Sequence, residues 1–348
     1  MTARTIPGRP APDQEQRAEV PLLEVENLKT HYPVRLGLTE RATGGRRKWV
    51  HAVDGVSFSL ARGEMLALVG ESGCGKTSTA QTILRMIEPT AGTIRLNGTD
   101  ITGLSQQQMR PLRRTLQMIY QDPYESLDPR FRVQAAVEEP MLVHGIGESR
   151  AARRDLVIAA LERAGLSPAE QYLGRFPHEL SGGQRQRVTI AAALVLSPDL
   201  LLADEPVSML DVSVRAGVLS LLDGLRRGGD LGILMITHDL STAAHFADRI
   251  AVMYLGRIVE QGPAKSVVRN PQHPYTKALL SVVPKRDPRE RFAPQILQGE
   301  TPNPVDVPGG CRFQPRCPVA VDACLHEDPA LRAIAGTAPG HQAACILA

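Results

Sequence analysis

The sequence predicts an α/β protein built on a doubly wound parallel sheet, with an inserted helical lobe and a cysteine-containing C-terminal extension. Apolar, strand-like runs alternate with amphipathic, helix-like stretches both before about residue 120 and after about residue 200. This alternation is typical of a parallel sheet covered by helices. Between about 133 and 180 the apolar residues instead recur at helical spacing. From about 271 the chain is rich in Pro and holds four of its five cysteines.

The composition is that of a globular protein and argues against several classes. Of 348 residues, 43% are hydrophobic and 22% are charged, a balance that allows a buried core. Aromatic residues make up only 4% and the net charge is +3, which argues against nucleic-acid binding. The polar, Pro-containing residues 1–20 lack the apolar segment of a secretory signal and are predicted to be disordered. No run of 18 apolar residues occurs, so we expect a cytosolic protein that could dock onto a membrane protein.

The individual elements follow from local patterns. Val53–Leu60 alternates as a strand does, and Met65–Val69 is a short apolar strand that leads into a glycine-rich turn. A helix is predicted from Lys76 to about Met86, and TIRLNGTDIT predicts a hairpin that turns at Asn97-Gly98. The remaining predicted segments are Leu22–Val25, Leu116–Tyr120, AARRDLVIAALERAGL, LLLAD, VRAGVLSLLDGLRR, GILMIT and the hairpin IAVMYLGRIVEQG.

A phosphate-binding loop follows the strand that ends at Val69. The residues GESGCGKT, from Gly70 to Thr77, fit G-x-x-x-x-G-K-[ST] between a predicted strand and a predicted helix. The backbone N–H groups of such a loop surround a β-phosphate, and the helix N-terminus adds positive potential. Lys76 is expected to reach the β- and γ-phosphates, and the Thr77 hydroxyl to bind Mg²⁺. Cys74 is expected either to fill a small space or to have its thiol acidified by the helix N-terminus.

Two further segments carry chemistry suited to the same nucleotide. The strand LLLAD ends in Asp204 and is followed by Glu205, at the edge of the sheet where α/β proteins bind ligands. Asp204 is expected to hold Mg²⁺ and Glu205 to polarise the attacking water. The run Ser181–Gln184 begins an amphipathic helix, and it is either a second anion site or an ordinary helix cap.

The segment LSGGQRQR resembles the signature of ATP-binding-cassette (ABC) ATPases, and the other motifs of that family appear in family order. Gln121 resembles the glutamine that senses Mg²⁺ and water. Asp211, in SMLD, resembles the D-loop aspartate, although Met209 stands where the family usually has Ala. His238, in ITHD, resembles the residue that contacts the γ-phosphate.

The resemblance covers residues 21–270 and implies an ABC-type nucleotide-binding domain: a RecA-like P-loop core, an antiparallel β subdomain and a helical subdomain at about 122–185. Tyr32, in LKTHYP, resembles the aromatic residue that stacks on adenine, and Trp49 is the alternative. Two such domains pair head to tail, so that each ATP lies between one P-loop and the partner's LSGGQ. The implied catalytic residues are Glu205, His238 and Gln121; the Mg²⁺ ligands are Thr77, Gln121 and Asp204; and the ATP contacts are Tyr32, Gly70, Ser72, Gly73, Cys74, Gly75, Lys76, Thr77, Ser78, Ser181, Gly182, Gly183, Gln184 and Asp211.

The region 271–348 resembles the C-terminal extension of oligopeptide/dipeptide importer ATPases, through HPYTKALLSVVP and GCRFQPRCP. QDPYESLDPR and GETPNPVDVPGGC look more like the F-type than the D-type subunit of those importers. The spacing C-x5-C-x6-C-x20-C fits neither the usual zinc pattern nor the ferredoxin pattern, so spacing alone leaves the ligand open. The resemblance implies a [4Fe–4S] cluster, with zinc or free thiols as alternatives, on Cys311, Cys317, Cys324 and Cys345.

The resemblance implies an ATP-hydrolysing subunit that powers an ABC importer for oligopeptides, dipeptides or related solutes. The implied partners are two transmembrane permease subunits seated near 121–141, a second ABC ATPase subunit and an extracytoplasmic substrate-binding protein. The second ATPase is either a sister subunit, as in those importers, or another copy of this chain. The chain is then expected at the cytoplasmic face of the cell membrane, as a peripheral protein without nucleic-acid partners. Another solute, such as nickel, an opine or a sugar, is one alternative. A soluble, non-transport ABC ATPase is another, which the single cassette and the lack of a heptad run disfavour.

Overall fold

Two β-sheets and a set of helices form the described part of this computed structural model, residues 20–34, 48–283 and 295–348. The segment predicted to be disordered lies outside these residues except for Val20. The strands are β1 (Leu23–Pro33), β2 (Trp49–Leu60), β3 (Met65–Val69), β4 (Ala91–Leu96), β5 (Thr99–Asp100), β6 (Leu116–Ile119), β7 (Leu200–Asp204), β8 (Gly232–Thr237), β9 (Arg249–Tyr254), β10 (Arg257–Pro263), β11 (Arg332–Ala333) and β12 (Gln342–Ala343). The α-helices are α1 (Lys76–Ile83), α2 (Gln106–Leu112), α3 (Pro123–Ser126), α4 (Val133–His144), α5 (Arg150–Arg163), α6 (Glu170–Leu173), α7 (Gly182–Leu194), α8 (Val212–Arg227), α9 (Leu240–Phe246), α10 (Ala264–Arg269) and α11 (Pro274–Ser281).

The larger sheet has the strand order β11-β12-β10-β9-β3-β8-β7-β6, and its neighbours from β9 to β6 pair in parallel. Strand β3 is buried on both faces, since Met65 and Val69 face one hydrophobic cluster whereas Leu66 and Leu68 face another. A strand covered on both sides appears as a continuous apolar run rather than an alternating one. The predicted doubly wound parallel core is therefore confirmed, and the segments that follow β3, β6, β7 and β8 all leave the same edge of the sheet.

The smaller sheet is antiparallel and has the order β2-β1-β4-β5. Its β4–β5 hairpin turns at Asn97 and Gly98, whose φ angles of 51° and 76° fit the predicted Asn-Gly turn. Strand β1 continues well beyond the predicted Leu22–Val25 because it pairs with β2 as far as Pro33. This pairing places Tyr32 inside a strand.

A helical lobe, α3 to α7, is inserted between β6 and β7. Its apolar side chains pack into the cluster that covers one face of the main sheet, including the fully buried Val137, Val157 and Val188. Helix α4 ends at His144 and is capped by Gly145, in the left-handed conformation that glycine adopts without strain. The predicted helical insert is thus present. In the described part of the chain, no helix combines the length and the apolar character needed to cross a bilayer.

The C-terminal extension adds two short strands to the main sheet. Strand β12 pairs antiparallel with β10 through Glu260–Ala343 and Gln261–Gln342, and β11 pairs with β12. Each of these strands has only two residues, too few for a pattern to be detectable in the sequence. The extension is therefore a continuation of the cassette's own sheet.

Side-chain contacts join the extension to both sheets. Phe313 is buried with its ring centroid 5.2 Å from that of Tyr254 and 5.4 Å from that of Tyr275. Arg312 forms a buried ion pair with Asp54 of β2. Burial alone would raise the pKa of Asp54, but hydrogen bonding to Arg312 holds it well below its usual value. Arg312 and Phe313 thus tie the extension to the rest of the molecule.

Candidate nucleotide-binding site

The loop between β3 and α1 is shaped by two close backbone approaches. A Cβ at Gly70 would lie 2.2 Å from the carbonyl oxygen of Met253, and one at Gly75 would lie 2.0 Å from that of Ala52. Gly75 also has a φ of 108°, in the region that favours glycine. Only glycine fits at these two positions, and the resulting path leaves the first N–H groups of α1 without intrahelical acceptors.

A cleft of about 560 Å³ opens at the N-terminus of α1. Its lining combines the phosphate-binding loop with the residues that follow three parallel strands, and all of the lining residues except Ala52 are predicted site residues. The lining residues are Ala52, Ser72, Gly73, Gly75, Lys76, Thr77, Ser78, Gln121, Glu205 and His238. A helix N-terminus that opens into a cleft is suited to a phosphate group. Ala52 lies at the cleft because β2 packs against the loop. No local sequence pattern predicts this contact.

The ends of β6, β7 and β8 bring three polar side chains together. The Glu205 Oε2 atom accepts a hydrogen bond from Gln121 Nε2 at 3.3 Å and lies 3.1 Å from His238 Nδ1. Glu205 also has a φ of 43°, a left-handed conformation that costs energy in a residue other than glycine. The arrangement places a carboxylate between an amide and an imidazole beside the phosphate-binding loop, where it could orient a water molecule.

The predicted Mg²⁺ ligands Thr77 and Asp204 are neighbours. The Thr77 hydroxyl hydrogen-bonds to Asp204, whose side chain is almost completely buried at the end of β7. Burial raises the pKa of Asp204, and the Thr77 hydrogen bond partly opposes that shift. Hydroxyl and carboxylate oxygens are ligands that Mg²⁺ prefers, so these two residues fit the ion, which would neutralise charge on phosphate oxygens.

Lys76 begins α1 and is largely buried. Its Nζ atom donates to the carbonyl oxygens of Gly70 and Glu71 at 2.8 and 2.9 Å, so the loop backbone holds the ammonium group beside the cleft. The helix is shorter than the predicted span to about Met86. It ends at Ile83 because Arg85 has a φ of 56°, which is incompatible with a continuing right-handed helix.

Tyr32 adjoins the cleft from β1. Its hydroxyl donates to the Ser78 hydroxyl at 3.4 Å, and Ser78 lines the cleft. Trp49, the alternative aromatic residue, starts β2 opposite Pro33 and is 39% exposed. The contact with Ser78 favours Tyr32 as the residue nearer the nucleotide.

Cys74 does not present its thiol to the cleft. The side chain is 2% exposed within the hydrophobic cluster on one face of the main sheet. Burial raises the pKa of this thiol above its ordinary value. The prediction of an acidified thiol is wrong, and the alternative of a small residue that fills a small space is confirmed.

The predicted contacts in Ser181–Gln184 and at Asp211 lie outside this cleft. Ser181 caps α7: its hydroxyl accepts from the Gln184 N–H, while the Gln184 side chain accepts from the Ser181 N–H. At Gly183 a Cβ would lie 2.5 Å from a methyl carbon of Val214, so glycine allows α7 and α8 to pack closely. The structure therefore does not bring Ser181, Gly182, Gly183, Gln184 and Asp211 to the phosphate-binding loop of their own chain.

The four cysteines of the extension gather in one region as free thiols. Burial raises the pKa of Cys311, and the nearby thiols of Cys317, Cys324 and Cys345 raise it further. Among the described residues, one group of His, Cys, Asp or Glu side chains brings at least three ligand atoms within 4.8 Å of one another, and it consists of His31, His51 and Asp54. No three of the four cysteine sulfur atoms are therefore that close together. Tetrahedral zinc would place its sulfur ligands about 3.8 Å apart, so the thiols are spaced more widely than a single zinc ion requires.

Two family comparisons agree with this geometry. A model of the ABC transporter family matches residues 53–208, and a model of the oligopeptide/dipeptide transporter C-terminal region matches residues 259–324. A putative peptide import ATP-binding protein of Brucella ovis is 46% identical over 328 residues, which cover 94% of this chain and 98% of that protein. The chain belongs to the ABC transporter family. The oligopeptide transport ATP-binding protein AppF of Bacillus subtilis is also 46% identical, over 94% of this chain and 97% of its own length.

Solved structures support the same assignment for this ABC ATPase. The ATP-binding cassette MJ0796, solved as a dimer bound to ADP and Pi, matches with a TM-score of 0.60 and 26% identity. It covers 70% of this chain and 98% of its own. The cbiO1 protein of Clostridium perfringens, part of the ABC transporter complex cbiONQ, matches with a TM-score of 0.62 and 28% identity over 72% of this chain and 92% of its own. The chain is an ATP-hydrolysing cassette.

Proposed function

We propose that this ABC ATPase is the subunit that powers a peptide importer. The observation that carries the proposal is the union, in one chain, of the nucleotide cleft with an extension of the oligopeptide/dipeptide transporter kind. The curated relatives named above are described as peptide import or oligopeptide transport proteins and match along nearly the whole chain. The chain then acts at the cytoplasmic face of the cell membrane, as a peripheral protein.

In this proposal each of the cleft residues has a separate role in ATP hydrolysis. Glu205 polarises the attacking water, and Gln121 and His238, which both contact its carboxylate, orient the water and the γ-phosphate. The loop N–H groups and Lys76 stabilise charge on the phosphoryl oxygens, because phosphoryl transfer depends mostly on positioning and electrostatic stabilisation. Thr77 and Asp204 hold Mg²⁺.

A partner cassette completes the site. The run Ser181–Gln184 lies outside the cleft of its own chain, which leaves it available to a second nucleotide site. Met209 and Val212, on either side of Asp211, are 60% and 79% exposed, and such apolar exposure is typical of an interface. The partner is a second, related ATPase subunit that pairs head to tail with this chain.

The permease subunits dock beside Gln121. A groove of about 190 Å³ lies between β6, α4 and α7, and its rim includes Tyr120 and Phe131, which are 41% and 44% exposed. A groove with exposed aromatic residues fits an inserted helix of a partner protein. Because Gln121 follows Tyr120 directly, movement of that helix is transmitted to the residue that contacts Glu205.

A pull-down of the tagged chain from its native membranes in mild detergent tests the importer proposal. We expect two polytopic membrane proteins, a sister ATPase and a substrate-binding protein that carries peptide. Phe131→Glu is expected to abolish recovery of the membrane proteins while ATP binding persists. Val319→Glu, at a residue 51% exposed on the extension, serves as the matched control and should retain them. Recovery of ribosomal or DNA-bound proteins without membrane proteins would overturn the proposal.

We further propose that Cys311, Cys317, Cys324 and Cys345 hold a [4Fe–4S] cluster. Four gathered thiols that are too widely spaced for a single ion suit a larger iron–sulfur group. Anaerobic purification should yield about four iron and four sulfide ions per chain. Cys317→Ser should lose them, whereas Cys74→Ser, at the thiol outside the extension, should keep them. About one zinc ion per chain and no sulfide would contradict the cluster.

A further inference from the structure

Glu71, the second residue of the phosphate-binding loop, has all of its polar groups engaged. Its N–H donates to the Tyr275 hydroxyl at 3.0 Å, and its carbonyl oxygen accepts from Lys76 Nζ at 2.9 Å. Its carboxylate accepts from both terminal nitrogens of Arg316, at 2.9 and 3.3 Å, and from the Thr301 hydroxyl at 2.9 Å. Glu71 therefore connects the phosphate-binding loop by hydrogen bonds to Tyr275, Thr301 and Arg316.

The residues that hold Glu71 from outside the loop all come from the C-terminal region. Tyr275 lies on α11 and is fully buried, and Thr301 precedes the cysteine segment. Arg316 ends the 3₁₀ turn Gln314–Arg316 and directly precedes Cys317. Its side chain is only 9% exposed, so the ion pair with Glu71 is partly shielded from solvent. The cysteine segment thus reaches the loop that binds phosphate.

The pairing matters for electrostatics as well as for shape. An unpaired carboxylate on the phosphate-binding loop would repel the phosphates of ATP, and a bidentate guanidinium cancels that charge in a fixed geometry. Burial alone would lower the pKa of Arg316, yet hydrogen bonding to Glu71 raises it above its ordinary value. The charged Arg316 guanidinium therefore lies directly against the Glu71 carboxylate.

We propose that Arg316 and Tyr275 are positioning residues for ATP binding, through which the C-terminal extension sets the shape and charge of the phosphate-binding loop. Neither residue lines the nucleotide cleft. Both act through Glu71, whose carbonyl oxygen in turn holds the ammonium group of Lys76. The proposal concerns the ATP-binding step of the cassette and is independent of which solute the transporter carries.

The test is the equilibrium dissociation constant of Mg–ATP for the full-length chain and a set of variants. Arg316→Gln should raise it about tenfold, the effect expected when one partner of a shielded, charge-assisted pair is removed. The double variant Glu71→Gln/Arg316→Gln, which also removes the carboxylate that Arg316→Gln leaves unpaired, should bind Mg–ATP within about twofold of the unchanged protein. Arg316→Lys should be intermediate because lysine keeps the charge but loses the bidentate contact.

Two further variants separate positioning from general loosening. Asp328→Asn breaks another ion pair between the extension and the cassette, with Arg257, in which no residue of the phosphate-binding loop takes part, and should leave the dissociation constant unchanged. Tyr275→Phe keeps the packing of a buried ring but removes the hydroxyl that the Glu71 N–H contacts, and should weaken ATP binding several-fold. The proposal is overturned if Arg316→Gln binds ATP normally, if Asp328→Asn weakens binding equally, or if Glu71→Gln fails to restore binding to Arg316→Gln.

Discussion

His273 should make the protein sensitive to mild acid. The residue is 1% exposed and caps α11, where its Nδ1 atom accepts a hydrogen bond from the Tyr275 N–H at 3.1 Å. The backbone N–H of His273 donates to the Glu260 carboxylate at 2.9 Å. Burial lowers its pKa from 6.5 to about 3, and the charge of Lys277 contributes to that shift. Protonation would also remove the acceptor that caps the helix, so the folded protein holds this imidazole neutral.

The direction of the pH effect follows from proton linkage. Below pH 6.5 the unfolded chain gains a proton at His273 that the folded protein does not take up until about pH 3, so the free energy of unfolding decreases as the pH falls. At pH 5.0, which is 1.5 units below the unfolded value, about 1.36 kcal/mol per unit gives a loss of about 2 kcal/mol. Above pH 7.5 the imidazole is neutral in both states and contributes no slope.

The assay compares the unchanged protein with His273→Asn, whose side-chain oxygen can still cap α11 but does not titrate. Urea unfolding of both full-length proteins at pH 7.5 and 5.0 gives the loss in each, and other acid-sensitive groups such as His51 cancel in the difference. We expect the variant to lose about 2 kcal/mol less. Between pH 7.5 and 8.5 the two proteins should differ by a constant amount. An equal loss in both proteins at pH 5.0 would refute the reasoning.

Three other predictions concern the nucleotide site and the extension. Glu205→Gln should bind ATP normally but lower kcat by at least about 100-fold, measured as phosphate release; unimpaired hydrolysis would exclude Glu205 as the group that activates water. Gly75→Ala should lose ATP binding in a titration, because its Cβ would meet a backbone oxygen at 2.0 Å, and a folded variant with normal affinity would contradict this. Arg312→Met should lower the free energy of unfolding by about 3–5 kcal/mol because it leaves the buried Asp54 carboxylate without its buried partner. Lys29→Met removes a 41% exposed partner of the same carboxylate and should lower it by at most about 1 kcal/mol. Similar losses from both variants in urea unfolding would refute the difference.

The nucleotide cleft was largely predictable because its residues belong to local patterns. A glycine-rich loop between a strand and a helix, or a carboxylate at the end of a buried strand, is visible in a few consecutive residues. The parallel order of the strands then brings Gln121, Glu205 and His238 to one edge. To place these three residues together, it is enough to know that the strands are parallel, and the alternation of strands and helices predicts this.

The contacts between the loop and the extension were not predictable, for a different reason. Glu71 and Arg316 are 245 positions apart, and each looks like an ordinary charged residue in its own segment. The only available signal was that Arg316 falls within GCRFQPRCP, next to a cysteine. The burial of the Cys74 side chain was not predictable either. Whether a loop residue faces a cleft or the core depends on tertiary packing, which the periodicity of the sequence does not indicate.

The attachment of β12 to β10 has a consequence for synthesis of the chain. Gln261 and Gln342, which pair across these two strands, are 81 positions apart. While the intervening residues are being translated, the backbone groups of β10 at Glu260 and Gln261 lack the partner strand that later covers them. Unpaired edges of this kind promote association between nascent chains. We therefore expect the emerging cassette to be more prone to association until the extension is made and β12 pairs with this edge.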